Sequence, residues 1–304
     1  MKSFLLVFLL AIFTGSQAQP PVVSSGKIIH YDNFNSAFVD VRTLDVWVPD
    51  GYGPGKRYAV VYMQDGQMLF DSTHTGNHMA WGVDRTLAKL LKEGRTRNCI
   101  VVAIWSIPGK REAEYFPQKI LDSIPEETRK TILNKQLKGT PQADNYLKFL
   151  VRELKPFIDS HYTTFKDPGN TFLIGSDMGG LFSLYAVCEY PGVFGGAACL
   201  SVRTTVVSID LMDQNTDRDI AAKFRSYLNR NLPPANTKMF YMDYGSLGDD
   251  SYFGPYQNAI DALMTGKGYN NTHWTTRYYA GEGHNERSWG KRLDIPVRFL
   301  LGKK

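Results

Sequence analysis

The sequence predicts an α/β protein with a mostly parallel, doubly wound sheet and helices on both faces. Three observations point there. Short apolar runs bounded by turn residues recur along the chain, helical patterns fill most of the gaps between them, and the central runs are apolar without alternation, as strands covered on both faces must be. With 304 residues, 43% apolar and 21% charged, the composition excludes a disordered, collagenous or coiled-coil chain. Lys plus Arg (35) exceeds Asp plus Glu (30) by only 5, and no block of like charges stands out, so no nucleic-acid partner and no polybasic membrane contact is expected.

The chain opens with Lys2 and an uncharged apolar run, Phe4 to Phe13, too short to span a bilayer, followed by Ser16-Gln17-Ala18. This reads as a secretory signal peptide over residues 1–18, cut before Gln19, and predicts a secreted or periplasmic protein with no stable membrane association after cleavage. Residues 19–304 then form one domain. The segment Val39 to Val48 alternates and reads as an antiparallel edge strand. Tyr58 to Met63, Ile100 to Trp105, Thr171 to Ile174, Gly196 to Leu200, Met239 to Met242 and Thr275 to Tyr279 supply the remaining strands. Between them lie helical patterns at Trp81 to Lys92, Asp144 to His161, Leu181 to Tyr190, Asp219 to Leu232, Tyr256 to Met264 and Asp294 to Leu301. In the second, Leu147, Leu150, Val151, Leu154 and Ile158 share one face and Pro156 predicts a kink. The polar stretch 108–141 interrupts the alternation and reads as a partly helical insertion over one end of the sheet, either roofing a site or simply solvated. Cys99, Cys188 and Cys199 are too few and scattered for a disulfide framework and read as buried thiols.

The chemistry concentrates at Gly175-Ser176-Asp177-Met178-Gly179-Gly180, between an apolar strand and a helix-forming run. Strand, Gly-x-nucleophile-x-Gly, helix is the nucleophile elbow of α/β hydrolases, in which small residues permit a strained turn that lifts the central side chain above the sheet. Here that central residue is Asp177, not serine. The first helical amides, Met178 N–H above all, point where an oxyanion would form.

The sequence resembles the esterase group of α/β hydrolases that includes esterase D, enterochelin esterases and bacterial feruloyl esterases. The resemblance spans about residues 35 to 303. It rests on Tyr62-Met63-Gln64-Asp65-Gly66-Gln67-Met68-Leu69-Phe70-Asp71, Ile104-Trp105, Glu114-Tyr115-Phe116-Pro117-Gln118, Phe157-Ile158-Asp159, Phe194 to Ser201, Tyr256-Gln257 and His284-Asn285-Glu286-Arg287-Ser288-Trp289. It implies the α/β-hydrolase fold, with Asp177 at the nucleophile position, His284 as the base and Asp250 as the acid that orients it. Asp249 and Asp243 stay open as alternatives for the acid. It further implies oxyanion donors from the Met178 amide and an amide near Gln67, a small-molecule or polysaccharide-linked carboxylic ester as substrate, and no metal or organic cofactor. The chain departs from the family pattern where members read His-Asp-Gly and it has Gln64-Asp65-Gly66, where they read Ser-Thr-His-Trp and it has Ser201-Val202-Arg203-Thr204, and again in the acid loop from Gly245 to Asp250.

An aspartate at the apex has no proton for His284 to remove, and its attack on an ester would give a mixed anhydride. The sequence therefore leaves three functional expectations: an esterase with impaired catalysis, a non-catalytic ligand-binding protein, or a hydrolase whose carboxylate attacks saturated carbon, of the epoxide or haloalkane type. The last needs electrophilic help, for which Tyr115 and Trp105 are the candidates. His74 and His78 have helical metal-ligand spacing, but Gly76 lies between them and no third ligand is evident, so a loop is expected.

Overall fold

The computed structural model describes residues 19–73, 75–211 and 216–303; the leader and His74 lie outside them. Eight strands form one sheet: β1 (Lys27–Phe34), β2 (Arg42–Val48), β3 (Ala59–Met63), β4 (Cys99–Ile104), β5 (Thr171–Ser176), β6 (Gly196–Leu200), β7 (Met239–Leu247) and β8 (Trp274–Gly283). Their spatial order is β1-β2-β4-β3-β5-β6-β7-β8. β1, β2 and β4 pair antiparallel, and from β4 to β8 every pairing is parallel. The helices are α1 (Val83–Lys92), α2 (Arg111–Tyr115), α3 (Glu126–Thr131), α4 (Ala143–Phe149), α5 (Lys155–His161), α6 (Asp177–Glu189), α7 (Thr216–Asn231), α8 (Gly254–Gly266), α9 (Glu286–Arg292) and α10 (Asp294–Leu301).

The unbroken apolar runs are explained by two separate cores. Val60, Tyr62, Val102 and Leu173 face the larger one, with residues of α4, α6, α7 and α8. Val61, Met63, Val101 and Phe172 face the other, against α1, α9 and α10. Every central position is thus desolvated whichever way its side chain points, and a fully buried Leu or Val side chain contributes about 1.5–3 kcal/mol. Among the described residues no helix is long and apolar enough to cross a membrane, and all three cysteines are free and buried.

Two sequence expectations need correction. The segment ending at Val48 is not an edge strand, because β1 pairs along its outer side. The sequence hid β1 behind polar residues that fold inward: His30 sits between Asp32 and Asp45, 2.7 and 2.5 Å from their carboxylates. The break expected at Pro156 takes the form of a widened π turn over Leu150–Leu154, between α4 and α5. Pro156 has no N–H to offer the carbonyl one α-turn back, so the preceding turn relaxes to longer-range bonding.

The order of the strands places the site. β3 and β5 are neighbours whose crossovers run to opposite sides, and ligands of such sheets bind at the carboxyl ends of the strands where that reversal occurs. The turn after β3 carries Asp65 to Met68, and the turn after β5 carries Asp177.

Candidate active site

The β5–α6 turn is the sharp elbow that its glycines imply. Asp177 adopts φ +53°, a left-handed conformation costly for a residue with a Cβ. A Cβ on Gly175 would stand 2.4 Å from the carbonyl of Gly179, so only glycine lets the helix start this close to the strand. The turn after β3 has the same character. Asp65 is also left-handed, at φ +55°, and a Cβ on Gly66 would lie 2.7 Å from the backbone of Ala103. The Gln67 side chain is pinned to Ser106, donating to Oγ at 2.6 Å and accepting from the amide at 3.1 Å.

The structure brings Asp177, His284 and Asp250 together. His284 follows β8 and Asp250 lies in the short turn after β7. Asp250 Oδ1 is 2.7 Å from His284 Nδ1, and His284 Nε2 is 3.6 Å from Asp177 Oδ1. Of the three candidate acids, Asp250 touches the imidazole. Asp243 is engaged by Arg292, and Asp249 acts on His284 only through its charge. Asp250 is held from behind: its Oδ2 accepts from Ser201 Oγ and from the Gly245 amide, both at 2.6 Å. Ser201 Oγ in turn accepts from Trp289 Nε1 at 2.8 Å and Arg292 Nη2 at 2.9 Å, so one buried hydroxyl ties the acid to α9.

The residues that sequence reasoning did not place in the site are arginines. Arg203, after β6, grips Asp177 with two donors, Nε to Oδ1 at 2.7 Å and Nη2 to Oδ2 at 3.0 Å. Arg111, from α2 in the 108–141 segment, adds Nη1 to Oδ2 at 3.0 Å and forks onto Asp65 at 2.8 and 2.9 Å. Glu112 stands 3.4 Å from Arg203 and accepts from Gln136 at 2.9 Å. One signal for this lay in the sequence: the positions that carry Ser and His in the pattern it resembles carry opposite charges here, as Asp177 and Arg203.

These contacts set the protonation states. Burial alone raises the Asp177 carboxyl. Arg203, Arg111 and His284, with the Met178 amide, outweigh it and hold that carboxyl well below the usual carboxylate range. Burial lowers His284, but the Asp250 hydrogen bond and the Asp177 and Asp250 charges more than reverse this, so the imidazole keeps its proton to higher pH than an ordinary histidine. The Met178 amide, expected to face an oxyanion, also favours the charged form of the Asp177 carboxyl. Trp105 is committed elsewhere, its Nε1 donating to Asp45 at 2.7 Å, while the buried Tyr115 hydroxyl accepts from the Asp65 amide at 3.4 Å. Among the described residues no cluster of His, Cys, Asp or Glu is built to hold a metal ion.

An α/β-hydrolase sheet with nucleophile elbow, acid and histidine in that chain order defines the class. The family model described as "Putative esterase" matches residues 36–294, and the chain belongs to that family. It is 25% identical over 194 residues to the uncharacterized protein YjcH of Bacillus subtilis (strain 168), covering 64% of this chain and 69% of that one. It is also 25% identical over 188 residues to an endo-1,4-beta-xylanase/feruloyl esterase of Xylanibacter ruminicola, covering 59% of this chain but only 22% of that protein. Among solved structures, a ferulic acid esterase from Anaeromyces mucronatus superposes with a TM-score of 0.62 at 17% identity, covering 93% of this chain and 92% of that one. The enterobactin esterase of Shigella flexneri does so with a TM-score of 0.63 at 16% identity, covering 92% of this chain and 60% of that one. At such identities the likeness speaks for the fold.

Proposed function

We propose that this chain is an exported esterase-family protein that binds a small ester or its parent acid without turning it over by the elbow route. The observation that carries the reading is the double clamp on Asp177: Arg203 and Arg111 occupy both carboxylate oxygens. Acyl transfer needs a hydroxyl or thiol nucleophile, a neutral histidine to accept its proton, and backbone donors free to receive the oxyanion. Asp177 removes the first and, by its charge, makes His284 hold its proton more firmly, which weakens the second. The ligand class is supported by the structural relatives, one solved in complex with ferulic acid and another in the presence of enterobactin. Export rests on the leader, and N-terminal sequencing of the secreted chain should begin at Gln19.

Attack by Asp177 on saturated carbon is the competing reading, favoured by the 3.6 Å approach of His284. The same clamps oppose it, since a carboxylate held by two guanidinium groups is a poor nucleophile. One set of assays separates the readings. The natural chain should hydrolyse short aryl esters and methyl ferulate at the buffer rate and take no fluorophosphonate label. Asp177→Ser combined with Arg203→His should gain both. Ester, epoxide or alkyl-halide turnover by the natural chain that disappears in Asp177→Asn would overturn the binding reading.

A further inference from the structure

The other end of the sheet holds a cavity of about 840 Å³ at the amino ends of β5 to β8. Its wall carries four cations, Arg97, Lys238, Arg298 and Lys303, with His273 beside them. Among the described residues no carboxylate lines it. Two lie just behind: Asp294 pairs with Arg298 at 3.1 Å, and Asp167 reaches Arg97 through Asn170. Four positive charges against two negative leave the neighbourhood at about +2 with His273 neutral, by formal count.

The cations are poorly satisfied from within. Arg97 donates only to neutral oxygens, Asn170 Oδ1 at 2.7 Å and the Leu300 carbonyl at 3.0 Å. The Nε groups of Arg97 and Arg298 and Nδ1 of His273 are buried with no hydrogen-bond partner. Lys238 has no ion-pair or hydrogen-bond partner among the described residues, and burial lowers its affinity for a proton; burial does the same to Arg97. Unpaired cations gathered around a cavity are costly, and an anion bound there offsets the cost. Phe172, Met239, Phe299 and Leu300 give the wall an apolar part beside Thr237 and Thr272, and the volume falls in the range of small-ligand pockets.

We propose that this cavity is a binding site for an amphipathic organic acid, its carboxylate between Lys238 and Arg97 and its apolar body on Phe299 and Met239. The site lies roughly 16 Å along β5 from the elbow, so it does not rest on the reading of the elbow. A free acid fits better than an anionic lipid surface because the groups line a cavity rather than an exposed patch.

The test is calorimetric titration of the mature chain with 2-naphthoate, 2-naphthamide and inorganic phosphate at low salt. The acid should bind saturably, at least about tenfold more tightly than the neutral amide or phosphate. Lys238→Met should weaken it about tenfold and Lys238→Arg should restore it. Vesicles of phosphatidylglycerol should neither sediment the protein nor displace the acid. Equal binding of acid and amide, indifference to Lys238→Met, or displacement by the vesicles would each overturn the assignment. Should the Lys238 variants fold poorly, a naphthoate-soaked crystal with the ligand anywhere else would do the same.

Discussion

The two ends of the sheet treat buried charge in opposite ways. At the carboxyl end, Arg203, Arg111 and Arg292 each face a carboxylate within 3 Å, and Asp65, Asp177, Asp243 and Asp250 all have donors. At the amino end Arg298 pairs with Asp294, but among the described residues Lys238 has no such partner and Arg97 reaches only neutral oxygens. The lesson is that an arginine near a pocket says little by itself. A cation whose partner is internal closes a site, and one whose partner is missing leaves room for a ligand.

Removing a cation from each end is the direct way to break that comparison. Arg292→Met, which strands the fully buried Asp243, should cost about 3–5 kcal/mol in denaturant unfolding. A loss under about 1 kcal/mol would mean that Asp243 simply takes up a proton, as the upward push of burial on it favours. Arg203→Met should cost less, about 1–3 kcal/mol, since Arg111 still covers Asp177. A double-mutant cycle with Asp177→Asn should return about 1–2 kcal/mol of coupling, and additive changes would show that the clamp contributes no stability.

A third test uses pH. His284 is raised in the folded chain, so its contribution to stability is complete below the unfolded value of about 6.5 and is lost as pH rises through the folded value. Asp177→Asn removes one of the three carboxylates that raise it. The imidazole should then titrate at lower pH by NMR, and the loss of stability should begin earlier. Superimposable titrations would remove Asp177 from the account of His284. The smallest effect belongs to the amino end: Lys238→Met should change stability by no more than about 0.5 kcal/mol, because no ion pair is broken. A large loss there would make the two ends alike.

Much of this molecule is legible in its residues. The runs Ala59 to Met63 and Cys99 to Ile104 announce central parallel strands because burial on both faces leaves no polar position in them. Gly175, Gly179 and Gly180 announce the elbow because the turn admits almost no side-chain volume. β1 was illegible for the opposite reason, its inward-facing His30 being satisfied by Asp45 from the next strand.

Asp177 at the apex, the chain order of aspartate, acid and histidine, and the family all follow from the linear sequence, since each depends on local spacing and residue type. Which aspartate meets His284, and that Arg111 and Arg203 close on Asp177 from segments 66 residues before and 26 after it, depended on the folded sheet. The same is true of the basic cavity, whose cations come from three separate stretches of chain. Charge interactions at a few ångströms are decided by which strand ends become neighbours, and that adjacency exists only once the sheet is assembled.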